Sequence, residues 1–284
     1  MRHARSIKVI ATAIIALGLS ACEATVFGVV NRGLPPPDLT VNFAPDLDLS
    51  MDVYRPRTMQ GRQVPVVVFF YGGSWRRGER AQYKFVGQRL ADNGVLAVVT
   101  DYRTYPRAIF PAFMDDAARA VRHVKDHAAG WGGDPKRVFI AGHSAGAQIA
   151  ALLATDPRYL KMQGIQPQQL AGVIGISGPY DFEVTGNLVD VFGSPSLWPR
   201  AQAINFVDGD EPPFLLIHGT GDKVVEHADS VQLAEKLRSK GIAATLKLLP
   251  DAGHLQPLAG FYDPKREPDV LKDVLAFVSN DLRP

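Results

Sequence analysis

The chain has 284 residues, of which 46% are hydrophobic and 21% are charged, the balance of one large globular domain or two small ones. This composition excludes disordered, collagen-like and coiled-coil proteins, and the single cysteine excludes a disulfide-stabilised scaffold. The formal charge of +2 depends on three basic residues near the N-terminus; without them 28 basic residues face 29 acidic ones, which gives no indication of a nucleic-acid partner.

The first 22 residues have the three parts of a secretory leader. A basic start precedes an apolar run over 9–19, which at about 11 residues is too short to span a bilayer. The segment 19–22, Leu-Ser-Ala-Cys, resembles a bacterial lipobox, in which the cysteine is acylated and becomes the mature N-terminus. We therefore predict a signal peptide over 1–21 and a lipoprotein of the cell envelope, anchored to a membrane by Cys22, with the rest of the chain outside the cytoplasm.

The segment between the lipobox and the first predicted strand contains three consecutive prolines at 35–37. Such prolines favour an extended and stiff chain, so we interpret residues 22–38 as a tether that holds the domain off the membrane. Four apolar residues within 26–30 also allow this segment to pack on the domain as an N-terminal arm. The sequence does not decide between the two arrangements.

From residue 39 onward, short apolar runs alternate with longer amphipathic segments. Alternation of apolar and polar residues predicts half-buried antiparallel strands at 39–43 and 50–54. Mainly apolar runs predict the strands that follow, at 66–70, 95–99, 138–141, 172–176, 214–217 and 245–249. Helical patterns lie at 80–93, 113–129, 146–155, 228–240 and 268–281. This order predicts an α/β fold with a mostly parallel central sheet and helices on both faces.

One long stretch, residues 179–213, has no regular pattern and is rich in Gly, Pro, Ser and Asp. A loop of this length inside a compact domain is usually functional. We predict that it forms a short cap, or one wall of a binding site, within a single domain that spans 39–284.

A Gly-x-Ser-x-Gly pattern at 142–146 lies between the strand predicted at 138–141 and the helix that follows. In this context the serine occupies a tight turn with a strained backbone. A side chain at either glycine would clash with the facing strand and helix. Ser144 is therefore the candidate nucleophile, which needs a general base and an oxyanion hole.

The histidines downstream of Ser144 are His218, His227 and His254. His254 follows the last predicted strand, in a loop that can reach over the C-terminal edge of the sheet, so we predict it as the general base. His218 ends a strand and is expected to support the turn there. His227 opens a helix and is expected to be exposed.

The predicted acid is Asp222, in the loop after the penultimate strand. Triads in this context run in the order serine, acid, histidine, and a carboxylate in this loop can hold the imidazole Nδ1–H and stabilise the imidazolium. Asp181, after the preceding strand, is a competitor. Asp251 is too close in sequence to His254 to lie behind its ring.

The segment Tyr71-Gly72-Gly73-Ser74-Trp75 follows the strand at 66–70. Its two glycines let the backbone direct N–H groups toward the position where negative charge develops during ester cleavage. Ala145, directly after the nucleophile, is expected to add its own N–H.

Taken together with the Asp-Tyr-Arg motif at 101–103 and the Gly-Gly-Asp-Pro motif at 132–135, these motifs resemble the hormone-sensitive-lipase-like carboxylesterases of the α/β-hydrolase fold. Within that group, residues 66–155 are most similar to prenylcysteine methylesterases, kynurenine formamidases and feruloyl or acetylxylan esterases. The resemblance covers residues 45–282 and implies a serine carboxylesterase that needs no cofactor.

The resemblance places the oxyanion donors at Gly72, Gly73 and Ala145, with Ser74 as a third donor of the loop. The group usually has histidine where this chain has Tyr71. That position mainly braces the loop, so the difference concerns loop geometry more than the type of reaction.

Two alternatives share these residues: an amidase or peptidase that uses the same triad, and a lipid-anchored binding protein that keeps the fold without activity. The second would be expected to have lost a triad residue, and all three are present. His123 and His127 have the spacing of a zinc pair, but Val124 stands where a metalloprotease has glutamate. We therefore predict no metal site.

The candidate walls of the substrate pocket are Trp75, Tyr180 and Trp198. The stretch 179–213 shows no long amphipathic lid helix, and large apolar lids suit enzymes that act on long acyl chains. We therefore predict a small-molecule ester substrate with a small acyl group, acetyl to butyryl. The expected membrane contact is through the N-terminal lipid only. The sequence indicates neither the alcohol nor the oligomeric state.

Overall fold

The computed structural model of the protein describes residues 25–57 and 62–279. The predicted signal peptide over 1–21 and the predicted lipidation of Cys22 lie outside these residues. Within the two described ranges, no helix combines the length and the hydrophobicity needed to cross a membrane.

Eight strands in the described part of the chain form one sheet. They are β1 (Leu39–Ala44), β2 (Leu49–Tyr54), β3 (Val64–Phe70), β4 (Leu96–Thr100), β5 (Gly133–His143), β6 (Gly172–Ile176), β7 (Phe214–Gly219) and β8 (Ala244–Leu249). Their spatial order is β1-β2-β4-β3-β5-β6-β7-β8. β2 pairs antiparallel with β1 and β4, and the pairs from β4 to β8 are parallel. The predicted mostly parallel sheet is confirmed, with a strand at each predicted position.

The described residues form nine α-helices, several of which connect the parallel strands. They are α1 (25–30), α2 (Lys84–Asp92), α3 (Ala112–Trp131), α4 (Ala145–Thr155), α5 (Pro157–Met162), α6 (Leu188–Phe192), α7 (Ala228–Ser239), α8 (Ala259–Tyr262) and α9 (Pro268–Ser279). Short 3₁₀ helices lie at Pro45–Leu47, Arg80–Tyr83, Pro167–Gln169, Pro195–Ala201, Ala203–Phe206 and Gln256–Leu258. Every residue of β4, β6 and β7 is buried, so both faces of the central sheet are covered.

The longest helix, α3, shows how the sequence covers the sheet. Its apolar residues recur every three or four positions and therefore form one face, while Arg122 and Asp126 pair on the exposed side. The apolar face packs against β5. The fully buried apolar residues of α3 are Phe113, Met114, Ala117, Ala118, Ala120, Val121, Val124 and Ala128.

The N-terminal segment 25–38 lies on the domain. The Phe27 ring of α1 is only 6% exposed, and its centroid is 5.0 Å from that of Tyr83. Asn31 donates from Nδ2 to the Gln82 carbonyl at 2.7 Å and accepts from the Phe85 N–H at 2.9 Å. The tether prediction is therefore wrong for this part of 22–38, because ring burial and these hydrogen bonds hold it as the alternative N-terminal arm.

The stretch 179–213 folds as a cap that is packed firmly on the domain. Phe192 of α6 is fully buried, and its ring meets Trp75 edge-on with centroids 4.8 Å apart. The Phe110 N–H donates to the carbonyl of Val191 at 2.8 Å. The Gln148 side chain donates to the Ala201 carbonyl, also at 2.8 Å. Buried contacts thus join the cap to β-strand loops and to α4.

Candidate active site

Ser144 occupies the sharp turn between β5 and α4. Its φ of 54° and ψ of −122° lie in a region that residues other than glycine rarely adopt. A Cβ on Gly142 would lie 2.2 Å from the backbone of Gly146, and a Cβ on Gly146 would lie 2.1 Å from the Phe70 carbonyl oxygen. The two flanking glycines are thus required by the approach of α4 and β3, as the sequence predicts.

The loops after β7 and β8 bring Asp222 and His254 into contact. His254 Nδ1 donates to Asp222 Oδ2 at 2.7 Å. Because β5, β7 and β8 run parallel, their C-terminal ends lie at one edge of the sheet, and Ser144 and His254 line the same cavity there. The structure therefore brings the three predicted catalytic residues together, while their roles in catalysis stay predictions.

Four donors surround the Asp222 carboxylate. Oδ1 accepts from the N–H groups of Val224 at 2.8 Å and Val225 at 3.0 Å, and Oδ2 accepts from His254 and from His218 Nε2 at 3.2 Å. Burial alone would raise the pKa of Asp222, but the hydrogen bonds from both histidines hold this pKa well below its usual range. The carboxylate therefore stays ionised and fixes the proton of His254 on Nδ1, which leaves Nε2 free to accept the proton of Ser144.

His218 supports the acid. Its ring is fully buried, with Nε2 facing two acceptors, Asp222 Oδ2 and the carbonyl of Val225, both at 3.2 Å. Nε2 must therefore carry the proton, and Nδ1 accepts from the Ser230 hydroxyl at 2.7 Å.

Asp181, the competing candidate for the acid, is exposed and lines a cavity that His254 does not line.

The loop 71–75, called the oxyanion loop below, differs from the expectation at Gly72. The Gly72 N–H donates to the Tyr83 hydroxyl at 3.2 Å, so this group is not aimed at the reacting carbonyl, and its assignment as an oxyanion donor is wrong. In the part of the chain that the structure describes, the N–H groups of Gly73, Ser74 and Ala145 have no hydrogen-bond partner. These three donors are therefore available for a developing negative charge.

Tyr71 holds this loop in place through its contacts with Tyr102. Its hydroxyl donates to the Tyr102 carbonyl at 3.1 Å, and the Tyr102 hydroxyl donates to the Tyr71 carbonyl at 2.8 Å. The two rings stack with centroids 4.5 Å apart. The reciprocal pair does the bracing that the resemblance assigns to a histidine.

His143 and Tyr83 also belong to the site, although the sequence analysis does not predict a role for them. His143 is fully buried; Nε2 donates to the His254 carbonyl at 3.1 Å, and Nδ1 accepts from the Tyr83 hydroxyl at 3.0 Å. Tyr83 thus links the Gly72 N–H to the turn that carries Ser144, and His143 links that turn to the loop that carries His254. The position of His143 inside Gly-x-Ser-x-Gly is the signal that could have found it.

The burial of His143 predicts a pH-dependent stability. Burial lowers the pKa of His143 from 6.5 to about 3, so between these values the unfolded chain binds a proton that the folded chain does not. The free energy of unfolding should therefore fall as the pH drops from about 6.5 toward 3, by up to about 1.4 kcal/mol per pH unit. Asp229, whose pKa burial raises to about 6, acts in the opposite direction below that pH.

Urea unfolding of the parent and of His143→Gln at pH 7 and pH 4.5 isolates this contribution, because both proteins keep Asp229. We expect the stability advantage of the parent over the variant to shrink at pH 4.5. An advantage that is equal at both pH values would contradict the burial of a neutral His143.

Two cavities meet at Ser144. The first, of about 190 Å³, is lined by His254, Tyr83, Phe27 and the oxyanion loop. The second, of about 520 Å³, is lined by Ala145 and by apolar and acidic side chains: Trp75, Phe182, Leu188, Asp181, Glu183, Glu226 and Asp229. His254 borders the first cavity and is not among the residues that line the second.

The three residues predicted to line the substrate pocket lie in different places relative to the two cavities. Trp75 lines the larger cavity, where its ring stacks on Phe182 and its Nε1 donates to Gln148 Oε1 at 3.1 Å. Tyr180 is fully buried beneath the cavity floor, with its hydroxyl lying over Gly175, so its assignment as a wall is wrong. Trp198 is also wrongly assigned: its Nε1 donates to the Gly193 carbonyl at 3.1 Å, and it holds the cap together outside both cavities.

The His123 and His127 rings stack on each other, with centroids 4.0 Å apart, and Trp131 extends the stack. His127 Nδ1 donates to the His123 carbonyl at 2.8 Å. Among the described residues, no group of three or more His, Cys, Asp or Glu side chains is placed to hold a metal ion.

Several known proteins are similar to this chain in sequence. The BD-FAE family matches residues 51–237. The chain is 29% identical to the probable isoprenylcysteine alpha-carbonyl methylesterase ICMEL1 of Arabidopsis thaliana, over 81% of this chain and 53% of that protein. It is 30% identical to esterase LipQ and 32% identical to esterase LipC of Mycobacterium tuberculosis, over 80% and 72% of this chain and 59% and 56% of those proteins. The chain thus spans just over half the length of these curated relatives.

Solved structures show the same fold. Apo Thermogutta terrifontis esterase 2 superposes with a TM-score of 0.74 at 23% identity, over 89% of this chain and 99% of that chain. A truncated carbohydrate esterase from gut microbiota superposes with a TM-score of 0.73 at 24% identity, over 87% and 99%. The chain therefore has the α/β-hydrolase fold.

Proposed function

Because this chain belongs to the BD-FAE family, we propose that it is a serine hydrolase that cleaves small carboxylic esters through Ser144, His254 and Asp222. The observation that carries the proposal is the 2.7 Å hydrogen bond between Asp222 and His254 beside the cavity that holds the strained Ser144. The relatives named as esterases support the same type of reaction.

In the first half of the reaction, His254 Nε2 takes the proton of the Ser144 hydroxyl while its oxygen attacks the ester carbonyl carbon. The carbonyl oxygen becomes negative and accepts hydrogen bonds from the N–H groups of Gly73, Ser74 and Ala145. When the tetrahedral intermediate collapses, the bond to the alcohol oxygen breaks and His254 gives its proton to that oxygen. The acid remains bound to Ser144 as an acyl-enzyme.

In the second half, a water molecule replaces the alcohol. His254 takes a proton from this water, whose oxygen attacks the acyl-enzyme, and the bond to the Ser144 oxygen breaks as that oxygen regains a proton. Asp222 stays ionised throughout and stabilises the charged imidazole. Each half of the reaction therefore begins with a neutral His254 and returns it to that form.

The test of the proposed function is hydrolysis of p-nitrophenyl esters whose acyl chain lengthens from acetyl to palmitoyl. We expect kcat/KM to be highest for acetyl to butyryl, because the cap over 179–213 is short and closely packed. Absence of turnover with every ester by the folded protein would contradict the esterase proposal. Highest turnover of palmitoyl would contradict the small-acyl preference alone.

We also propose that Cys22 carries the lipid that anchors the protein in the cell envelope. Support comes from the lipobox pattern and from its position as the only cysteine of the chain. Cys22→Ala should move the protein out of the membrane fraction or block processing, whereas Ser144→Ala, as the matched control, should stay with the membrane. Intact-mass measurement of the detergent-extracted parent checks the modification directly, and a mature chain that begins elsewhere without lipid would contradict it.

A further inference from the structure

An apolar groove of about 500 Å³ adjoins the smaller catalytic cavity. Phe27 and Leu255 border both spaces, so the groove begins where the cavity of Ser144 and His254 ends. Its walls come from the N-terminal arm on one side and from the segment around α8 on the other. The apolar side chains that line it include Val26, Val30, Phe85, Leu258 and Tyr262.

Proton transfer by the triad determines which part of an ester lies toward this groove. His254 must deliver its proton to the leaving alcohol oxygen, so the alcohol lies on the His254 side of Ser144. The smaller cavity contains His254, whereas the larger cavity has Ala145 and no His254 in its lining. The alcohol therefore enters the smaller cavity, and any extension of it reaches the groove.

The lining favours an apolar alcohol. The polar side chains at the edge of the groove are engaged with each other or with neighbours: Gln256 donates to Glu267 at 2.7 Å, and Arg266 Nε lies 3.2 Å from the Asp263 carboxylate. The larger cavity differs, since it carries four carboxylates. An alkyl or aromatic group would lose contact with water along the groove without leaving a charge unpaired.

The groove is built mostly by segments outside the part of the chain that matches the family. The arm precedes residue 51, and the segment around α8 follows residue 237, so both walls lie outside the residues that match the BD-FAE family. The packing of Phe27 against Tyr83 and Phe85 holds the arm in place as a wall.

We propose that this groove is the alcohol subsite, which binds the apolar leaving group of an ester whose acid is small. The inference rests on the proposed esterase function and adds the class of substrate. It implies that the alcohol contributes to which esters the protein selects.

The test uses acetate esters of straight-chain alcohols from ethanol to hexanol, with the acid kept constant. Burying one methylene contributes about 0.8 kcal/mol, so kcat/KM should rise about threefold to fourfold with each added methylene. Val26→Glu places a charge on the groove wall at a position that is 37% exposed, and should abolish this rise. Val29→Glu is the matched control, because Val29 lies on the same helix, is 67% exposed and does not line the groove; it should keep the parental profile.

The outcomes separate the subsite from the function on which it rests. Hydrolysis of the acetates with a flat profile, or equal loss of the rise in Val26→Glu and Val29→Glu, would overturn the subsite alone. Absence of hydrolysis of these acetates and of p-nitrophenyl acetate by the folded protein would overturn the esterase function and the subsite together.

Discussion

Ser144→Ala should lower kcat for p-nitrophenyl acetate by on the order of 10⁴- to 10⁶-fold, because it removes the atom that forms the acyl-enzyme. The oxyanion donors and both cavities remain, so substrate binding should persist. Alanine keeps the Cβ that already strains this turn, so the melting temperature should stay close to that of the parent. Initial rates and thermal melts of the purified proteins measure both quantities.

Ser239→Ala is the control for this variant. Ser239 is exposed at the end of α7, where its hydroxyl donates to the Lys236 carbonyl, and its replacement should change neither activity nor melting temperature. Activity of Ser144→Ala within tenfold of the parent would mean that another group is the nucleophile. Labelling of the parent with a fluorophosphonate, followed by peptide mass analysis, would then locate that group.

Asp222→Asn should be nearly as damaging, with kcat lowered by on the order of 10⁴-fold. All four groups that face this side chain are donors, and an amide NH₂ would oppose at least one of them. His254 would then turn or change tautomer, so that Nε2 could no longer accept the proton of Ser144. Stability should also fall, by about 1–3 kcal/mol, because the buried His218 N–H loses a charged acceptor.

The competing acid supplies the control for this prediction. Asp181→Asn changes an exposed carboxylate in the larger cavity and should lower kcat less than tenfold. Steady-state kinetics and urea unfolding of both variants check the two effects. A collapse of activity in Asp181→Asn with near-parental activity in Asp222→Asn would transfer the role of acid to Asp181.

The sheet was predictable because most of its strands are continuous apolar runs, a pattern that is typical of strands buried on both faces. β5 was the exception, since it begins at Gly133 and not at residue 138. The additional residues include Asp134 and Lys136, which look like a loop in sequence, and the strand reaches back through an irregular pairing of Val64 with Gly133. Such a pairing between distant residues leaves no local pattern.

The three residues predicted to be catalytic could be singled out from the sequence because each follows a strand in a fixed order. The role of Tyr83 could not, since its hydrogen bonds to Gly72 and His143 join residues 11 and 60 positions apart. Tyr180 and Trp198 were misplaced for a related reason: an aromatic side chain has the same local pattern whether it walls a pocket or fills a core. Only the packing around each ring distinguishes the two.

The attachment of the cap has a consequence for the kinetics. Gln148 joins Trp75 on the domain to the carbonyl of Ala201 in the cap, and Phe192 lies fully buried beneath it. Lifting the cap would break these hydrogen bonds and expose the Phe192 ring to water. We therefore expect the substrate to reach Ser144 without any opening of the cap at an oil–water interface. The rate should therefore saturate smoothly with dissolved ester and show no jump when the ester exceeds its solubility and forms droplets.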